Sequence, residues 1–208
     1  MAKSPVRATG VPHPYWPRDL SIPGYVVNDR SMHEILSFLF SVSGLFLLST
    51  WVLTGRKWAR DGRGQEFGVA RRLAICWFAV CGFIHGVIEG WFSLYYDVIP
   101  SDQSFLSQLW KEYSKGDSRY VIADNFTVCM ETVTAWFWGP LSVGRCLPSW
   151  PTNHAYRGGG WEPYELILIC QLYGAVLYFY TEHRDGYSHS QMGHPLYFWF
   201  YFVFMNIL

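Results

Sequence analysis

Charge is scarce in this sequence. Asp, Glu, Lys and Arg make up 15% of its 208 residues, whereas soluble domains average about 25%. The 16 basic and 16 acidic side chains give a formal net charge of zero, so the basic excess of nucleic-acid-binding proteins is missing. The first thirty residues also lack the apolar segment of a secretory signal peptide. These shortages argue against a soluble domain and a nucleic-acid partner, and we expect no signal peptide.

Metal-binding patterns are missing as well. The five cysteines form no CxxC pair and lie mostly in apolar stretches, where we expect small buried residues. Seven histidines are few for a membrane di-iron enzyme, because such enzymes carry clusters of many histidines. His183, His189 and His194 follow one another without regular ligand spacing. We therefore expect no metal and no other cofactor.

Long apolar runs dominate what is present. Half of the residues are apolar and 19% are aromatic. A helix of about 20 apolar residues crosses the ~30 Å hydrocarbon core of a bilayer, where only a fully hydrogen-bonded backbone is stable. The sequence predicts an all-α fold, a polytopic membrane helix bundle with five transmembrane helices, the fifth of them truncated. The predicted spans are Ile35–Leu53, Leu73–Tyr96, Tyr120–Val143, Tyr164–Tyr180 and Pro195–Leu208.

The segments between these runs predict one domain and its orientation. Residues 1–208 are predicted to form a single membrane domain, with an atypical loop insert rich in Pro and Gly at 144–163. Six cationic residues between Arg56 and Arg72 predict a cytosolic loop, because short cytosolic loops are enriched in Lys and Arg. The loop Asp97–Asp117 and the polar turn Glu182–His194 would then be lumenal.

His85 and Glu89 are the most informative pair in the sequence. They lie four residues apart inside the second apolar run, so a helix places them on one face, one turn apart. A charged group at membrane depth costs about 2.5–3.5 kcal/mol on insertion scales, and such residues mark functional sites by default. The alternative is that both side chains only hydrogen-bond to a neighbouring helix. The pair alone leaves both interpretations open.

A second polar stripe follows in the third run. At 100° per residue, Asp124, Thr127, Glu131 and Thr134 share one helix face. Burial favours the neutral form of a carboxyl group, so a buried Glu131 can donate a proton. Thr134 is one turn from Glu131 and is predicted to orient its carboxyl group through a hydroxyl hydrogen bond. Asp124 has two interpretations, as a residue that caps or orients helices or as a participant in the chemistry.

Blocks of sequence around these residues resemble the emopamil-binding protein family of 3β-hydroxysteroid Δ8,Δ7-isomerases. The resemblance covers about residues 12–142 and 170–208, but it fails between Val143 and Glu165. It also implies a fifth helix that continues past Asn206. The matching blocks are His13–Pro17, Cys76–His85, Val87–Phe92, Phe105–Tyr113, Gly116–Tyr120, Asp124–Thr132, Tyr178, Thr181–Gly186 and Gly193–Asn206.

The resemblance implies an isomerase of cholesterol biosynthesis that shifts a sterol double bond from C8 to C7 through a carbocation. The implied partners are the sterol, cationic amphiphilic amines and the lipid bilayer, and a homodimer is a further candidate assembly. The implied location is the endoplasmic reticulum membrane, with the nuclear envelope as an alternative. The residues that align with the family's catalytic positions are His85, Glu89, Glu131, Thr134 and Asn206.

Aromatic side chains suit a carbocation, because a desolvated positive charge over an aromatic face gains about 2 kcal/mol or more. The fifth run supplies many of them, and Trp199, Phe202 and Asn206 are predicted to share a stripe. Trp199 and Phe202, together with Asp124 and Tyr120, are the candidates for substrate binding. The competing function is a sterol and cationic-drug binding protein without catalysis.

Overall fold

The computed structural model describes residues 12–56, 68–146 and 163–207, and within these ranges the ordered elements are all helices. The prediction of an all-α fold is therefore confirmed for the described chain. The elements are α1 (Met32–Thr54), α2 (Val69–Phe83), π1 (Ile84–Glu89), α3 (Gly90–Tyr95), α4 (Phe105–Tyr113), α5 (Asn125–Val133), π2 (Thr134–Trp138), α6 (Gly139–Cys146), α7 (Pro163–Arg184), π3 (Pro195–Phe204) and α8 (Met205–Ile207), where π marks a π-helical segment.

Within the described residues, two helices are long and apolar enough to cross a membrane, namely Met32–Thr54 and the continuous Val69–Tyr95. They match the first two predicted spans closely. Ser31 caps α1 by accepting from the Glu34 backbone N–H, while the Glu34 carboxylate accepts from the Ser31 N–H. This capping box explains why the helix begins there. The five membrane crossings stay a prediction.

The third and fourth predicted spans need corrected boundaries. The predicted third span began at Tyr120, but residues 117–124 form turns and the helix runs from Asn125 to Cys146. Asp124 starts it as the N-cap, because its side chain accepts from the Phe126 N–H at 2.9 Å. The fourth helix extends to Arg184, so the expected polar turn begins later than predicted. Most of the predicted insert, 147–162, lies outside the described residues.

The predicted lumenal loop contains a helix that the sequence reasoning missed. Apolar residues at helical spacing in Phe105–Tyr113 pack into the core, and even the charged Lys111 and Glu112 are buried. The Lys111 ammonium donates to the Val26 carbonyl at 3.0 Å, and the Asn28 amide donates to the Gln108 carbonyl at 2.8 Å. The N-terminal segment is thereby attached to α4.

Three helices are interrupted by π-helical turns, in which hydrogen bonds run from residue i to i+5. The segments π1 and π2 contact each other at a point of close backbone approach. A Cβ atom on Gly139 would lie 3.2 Å from Gly86 Cα, so a larger residue at 139 would push the two segments apart. This crossing brings the polar residues of the two helices together.

Candidate active site

His85 and Glu89 both lie on π1, and their side chains hydrogen-bond. His85 Nδ1 is 2.7 Å from Glu89 Oε2, and both side chains are largely buried. The predicted contact between them is therefore present. π-Helical turns inside longer helices occur frequently at functional sites, which is consistent with the position of this pair.

The Thr134 hydroxyl contacts the carboxyl group of Glu89, whereas the sequence predicted a contact with that of Glu131. The hydroxyl donates to Glu89 Oε2 and also lies 3.0 Å from the main-chain oxygen of Glu131. The prediction that Thr134 orients the Glu131 carboxyl group is therefore wrong. The reason is that Thr134 begins π2, where the wider winding and the close crossing at Gly139 direct the hydroxyl towards π1.

Glu131 is held from the opposite side by Tyr120. The Tyr120 hydroxyl donates to Glu131 Oε1 at 2.7 Å, and both residues are buried. The Thr134 hydroxyl links the two glutamates, because it donates to Glu89 Oε2 and lies 3.0 Å from the main-chain oxygen of Glu131. His85, Glu89, Glu131 and Thr134, called the proton cluster below, therefore form one connected set.

Gln171 completes the hydrogen bonds of this cluster, and the sequence reasoning missed it. Its Nε2 lies 3.1 Å from Nε2 of His85, across the bundle from α7. The available signal was an amide inside an apolar helix, because such side chains usually hydrogen-bond to another helix. A contact between residues 86 positions apart is not visible in local periodicity.

Aromatic rings surround the Tyr120 side of the cluster. The Trp110 and Tyr120 ring centroids are 4.9 Å apart, those of Tyr113 and Tyr120 are 5.2 Å apart, and Tyr178 packs against Phe202 at 5.3 Å. Only Phe202 among these comes from the fifth predicted helix. Most of this aromatic lining is therefore supplied by α4, α7 and the turn before α5.

The predicted stripe on the fifth helix is not formed. Phe202 is buried in the core, whereas 58% of the Trp199 surface is exposed. The stripe assumed α-helical spacing, but π3 winds with more residues per turn, so positions three apart turn to different sides. Asn206 donates to the Phe202 carbonyl at 2.7 Å. The functional roles of Trp199, Phe202 and Asn206 stay predictions.

Asp124 lies apart from the proton cluster. Its carboxylate caps α5, which matches the structural one of its two interpretations. Thr127 is buried on the same helix, and its hydroxyl donates to the Asp124 carbonyl at 3.0 Å. A role of Asp124 in substrate binding stays a prediction.

A second buried polar group lies between the turn before α5 and the end of α7. It consists of Asp117, Arg119, Glu182 and His189 and is called the ion-pair cluster below. The Arg119 guanidinium donates to both Asp117 oxygens and lies 3.6 Å from Glu182 Oε2. His189 donates its backbone N–H to Glu182 Oε1 at 2.8 Å, and its Nδ1 is 2.9 Å from Oε2. Sequence reasoning had described Glu182 only as part of a polar turn.

Ligand atoms of Glu182, Asp185 and His189 lie within 4.8 Å of one another, a spacing that suits a metal ion. The Arg119 guanidinium already supplies positive charge beside Glu182. Glu182 is already paired with Arg119 and His189, and we assign no metal ion to these residues.

The fold and the site together define a class: a helical protein with apolar helices and a buried histidine–carboxylate cluster suited to proton transfer. The sequence model of the EBP family, described as EXPERA (EXPanded EBP superfamily), matches residues 105–208. The rat 3-beta-hydroxysteroid-Delta(8),Delta(7)-isomerase is 52% identical over 201 residues, 94% of this chain and 81% of the rat protein. The guinea pig protein of the same name is 50% identical, over 97% of this chain and 84% of its own length. The chain belongs to the EBP family.

Proposed function

We propose that this chain is a sterol Δ8,Δ7-isomerase and that the proton cluster is its active site. The observation that carries the proposal is the identity of 52% to the rat isomerase over nearly the whole chain. The cluster supports it, because it places an imidazole and two carboxyl groups within one hydrogen-bonded set. Such a set offers both an acid and a base, which an isomerisation by proton transfer needs.

The reaction consists of one protonation and one deprotonation. An acid of the cluster adds a proton to C9, and the π electrons of the C8–C9 double bond form the new C9–H bond. This leaves a tertiary carbocation at C8. A base of the cluster then removes a proton from C7, and the electrons of that C–H bond form the C7–C8 double bond. One proton enters and one leaves, so no electrons are gained or lost.

The contacts support distinct roles for the residues. Two carboxyl groups in one site can divide the work, one acting as the acid while the other acts as the base. His85 accepts or relays a proton through its 2.7 Å contact with Glu89. Thr134 fixes Glu89 Oε2, and Tyr120 fixes Glu131 Oε1. Both carboxyl groups are thus held in one orientation, which proton transfer at a defined carbon requires.

The surroundings of the cluster suit a carbocation. Water would quench the cation, and the cluster lies inside the bundle with Glu131 buried. The rings of Trp110, Tyr120 and Tyr178 pack together beside Glu131, to which Tyr120 donates, and aromatic rings stabilise positive charge. We propose that cationic amphiphilic amines bind at the same place, because a protonated amine carries the charge of the intermediate.

The membrane setting is the third part of the proposal. The chain is a helical membrane protein, and we propose five crossings, with the loop between α1 and α2 cytosolic. The residues from Glu182 to His194 would then be lumenal, in the endoplasmic reticulum. The support is the apolar surface of α1 and the charge asymmetry of the loops. Cysteine labelling in sealed microsomes tests this, and protection of the first loop from an impermeant reagent would overturn the orientation.

Turnover in heavy water tests the reaction. The purified chain in lipid nanodiscs should convert a Δ8 sterol to the Δ7 product with deuterium at C9, because the added proton comes from exchangeable side chains. His85→Ala and Glu89→Ala should each reduce turnover about a hundredfold or more, the usual scale for general acid–base groups. Val87→Ala, on the exposed side of π1, is the matched control and should retain turnover. Dependence on added NADPH or iron would overturn the isomerase assignment, and sterol binding without turnover would indicate a binding protein.

Amine affinity tests the charge of the site. Glu131→Gln keeps the shape of the side chain and removes its ionisable group. The affinity for a cationic amine should therefore fall more than that for a neutral sterol. Equal losses for the two ligands would show that Glu131 acts only through packing.

A further inference from the structure

Gln171 contacts His85 from a helix that contributes no other member of the proton cluster. We propose that Gln171 is a positioning residue that fixes the tautomer and the ring orientation of His85. The consequence for turnover rests on the proposed function, whereas the consequence for the tautomer does not. The inference is argued from two hydrogen bonds on opposite sides of one ring.

The two ring nitrogens of His85 have different partners. Nδ1 lies 2.7 Å from Glu89 Oε2, and Nε2 lies 3.1 Å from Gln171 Nε2. A neutral imidazole has one donor nitrogen and one acceptor nitrogen. The Glu89 carboxylate accepts, so the ring proton of the neutral imidazole is on Nδ1, and Nε2 is then an acceptor to which the Gln171 NH₂ group can donate. Gln171 therefore stabilises this direction of the hydrogen-bond chain from α7 to the carboxyl groups.

The same amide also suits the second protonation state of the ring. If His85 gains a proton on Nε2, the Gln171 side chain can rotate about its last torsion and accept with its oxygen. A methionine or leucine would leave Nε2 without a partner in a buried site. Gln171 is thus the partner on the side of the ring away from Glu89.

Two variants separate the effect of the Gln171 amide group from the effect of the side-chain shape. Gln171→Met keeps the length and removes the hydrogen bond. Gln171→Glu replaces the donor with a carboxylate that accepts, which favours a proton on Nε2. Gln191→Met makes the same chemical change in the turn before π3, outside the proton cluster. The readout is the ¹⁵N spectrum of the full chain labelled with [¹⁵N]histidine, in which the His85 signals are those lost in His85→Asn.

The wild-type spectrum should show His85 with its proton on Nδ1. In Gln171→Met the two nitrogen signals should move towards an average of the two tautomers, and in Gln171→Glu both should resemble a doubly protonated ring. Turnover of Gln171→Met should fall about tenfold to a hundredfold in kcat with KM for the sterol unchanged, the scale seen for partners that orient metal-bound histidines. Gln191→Met should match the wild type in both measurements.

The outcomes are distinguishable. An unchanged His85 spectrum in both Gln171 variants would overturn the positioning role, whatever their turnover. A wild-type protein without turnover, but with the expected spectra, would overturn the proposed function and leave the positioning role supported. Gln171→Met could lose turnover because it does not fold, and its spectrum would then show this. In that case Gln171→Glu carries the test, because it keeps a polar partner for the ring and should fold.

Discussion

The proton cluster and the ion-pair cluster are both buried, yet their charges are balanced in different ways. In the ion-pair cluster the Arg119 guanidinium is held between Asp117 and Glu182. Arginine stays charged in proteins, so Asp117 and Glu182 face a permanent counter-charge. Among the described contacts of the proton cluster there is no Lys or Arg, and its carboxyl groups hydrogen-bond to His85, Thr134 and Tyr120.

This difference separates structure from chemistry. A permanent cation fixes the protons of its partners and makes a rigid connection, here between the turn before α5, the end of α7 and the segment that leads to π3. Groups that balance charge by sharing protons can move those protons with little rearrangement. Buried titratable groups therefore indicate catalysis only where a permanent counter-charge is missing, which is the condition at Glu89 and Glu131.

Removing the permanent cation should have the largest effect. Arg119→Met leaves Asp117 and Glu182 buried without their counter-charge, and breaking a buried pair in this way costs about 3–5 kcal/mol. Thermal unfolding in detergent micelles should show a large fall in the midpoint. Arg18→Met, at an exposed arginine, is the control and should change little. A wild-type midpoint for Arg119→Met would contradict the structural role of the ion-pair cluster.

The same substitution in the two clusters should then give opposite results. Glu131→Gln should reduce turnover about a hundredfold or more, because it removes an acid–base group, and should change the unfolding midpoint little, because the amide still accepts from Tyr120. Glu182→Gln should lower the midpoint and leave the turnover of the folded protein close to normal. Turnover and thermal unfolding of both variants provide the test. Parallel losses in the two variants would remove the distinction between the clusters.

Packing at the helix crossing should have a smaller effect. In Gly139→Ala the new methyl group would lie 3.2 Å from Gly86 Cα and N, so π1 and π2 must separate by a few tenths of an ångström. Overpacking of this kind costs about 1–3 kcal/mol, and turnover should fall because Thr134 moves away from Glu89. Gly86→Ala adds the same methyl group where nothing lies within 4 Å and should be nearly neutral. Equal effects of the two substitutions would contradict this account.

Sequence reasoning predicted the parts of this comparison that local periodicity carries. The helical runs and the contact of His85 with Glu89 follow from apolar length and a spacing of four. The partner of Thr134 did not follow, because it is Glu89 on another helix, and the orientation of Trp199 did not follow, because π3 winds with more residues per turn than the predicted stripe assumed. The Arg119–Glu182 pair was also missed. It joins residues far apart in sequence, and its charges look like an ordinary solvated turn.

The burial of α4 was not predicted from the sequence. Its apolar residues have helical spacing, but Lys111 and Glu112 within them indicated an exposed loop. Their partners come from distant segments, Val26 for Lys111 and Tyr201 for Glu112. The family resemblance supplied the candidate catalytic residues, whereas Gln171 is not indicated by it and became visible only through the contact with His85.

The smallest effect concerns the pH dependence of the ion-pair cluster. Burial opposes the charged form of Glu182, but hydrogen bonds from the His189 side chain and backbone and the charge of Arg119 outweigh it, so the pKa of Glu182 is lowered from its ordinary 4.5. The hydrogen bond to Glu182 raises the pKa of His189 above its ordinary 6.5, against the effect of burial. Asp117 favours the charged imidazole and Arg119 opposes it, and the Ser188 hydroxyl lies 3.1 Å from Nδ1.

The signs of these shifts define a pH window. A lowered carboxyl pKa stabilises the fold above the unfolded value and loses this contribution as pH falls through the folded pKa. A raised histidine pKa stabilises the fold below the unfolded value and loses this contribution as pH rises through the folded pKa. Both contributions are therefore complete between about pH 4.5 and 6.5.

His189→Gln should lower the unfolding free energy by about 1 kcal/mol at pH 6, the scale of one hydrogen bond, and by less at pH 9. His183→Gln, at an exposed histidine in the last turn of α7, should show no such difference. A deficit of His189→Gln that grew towards pH 9 would show that the neutral imidazole, and not the ion pair, holds the turn.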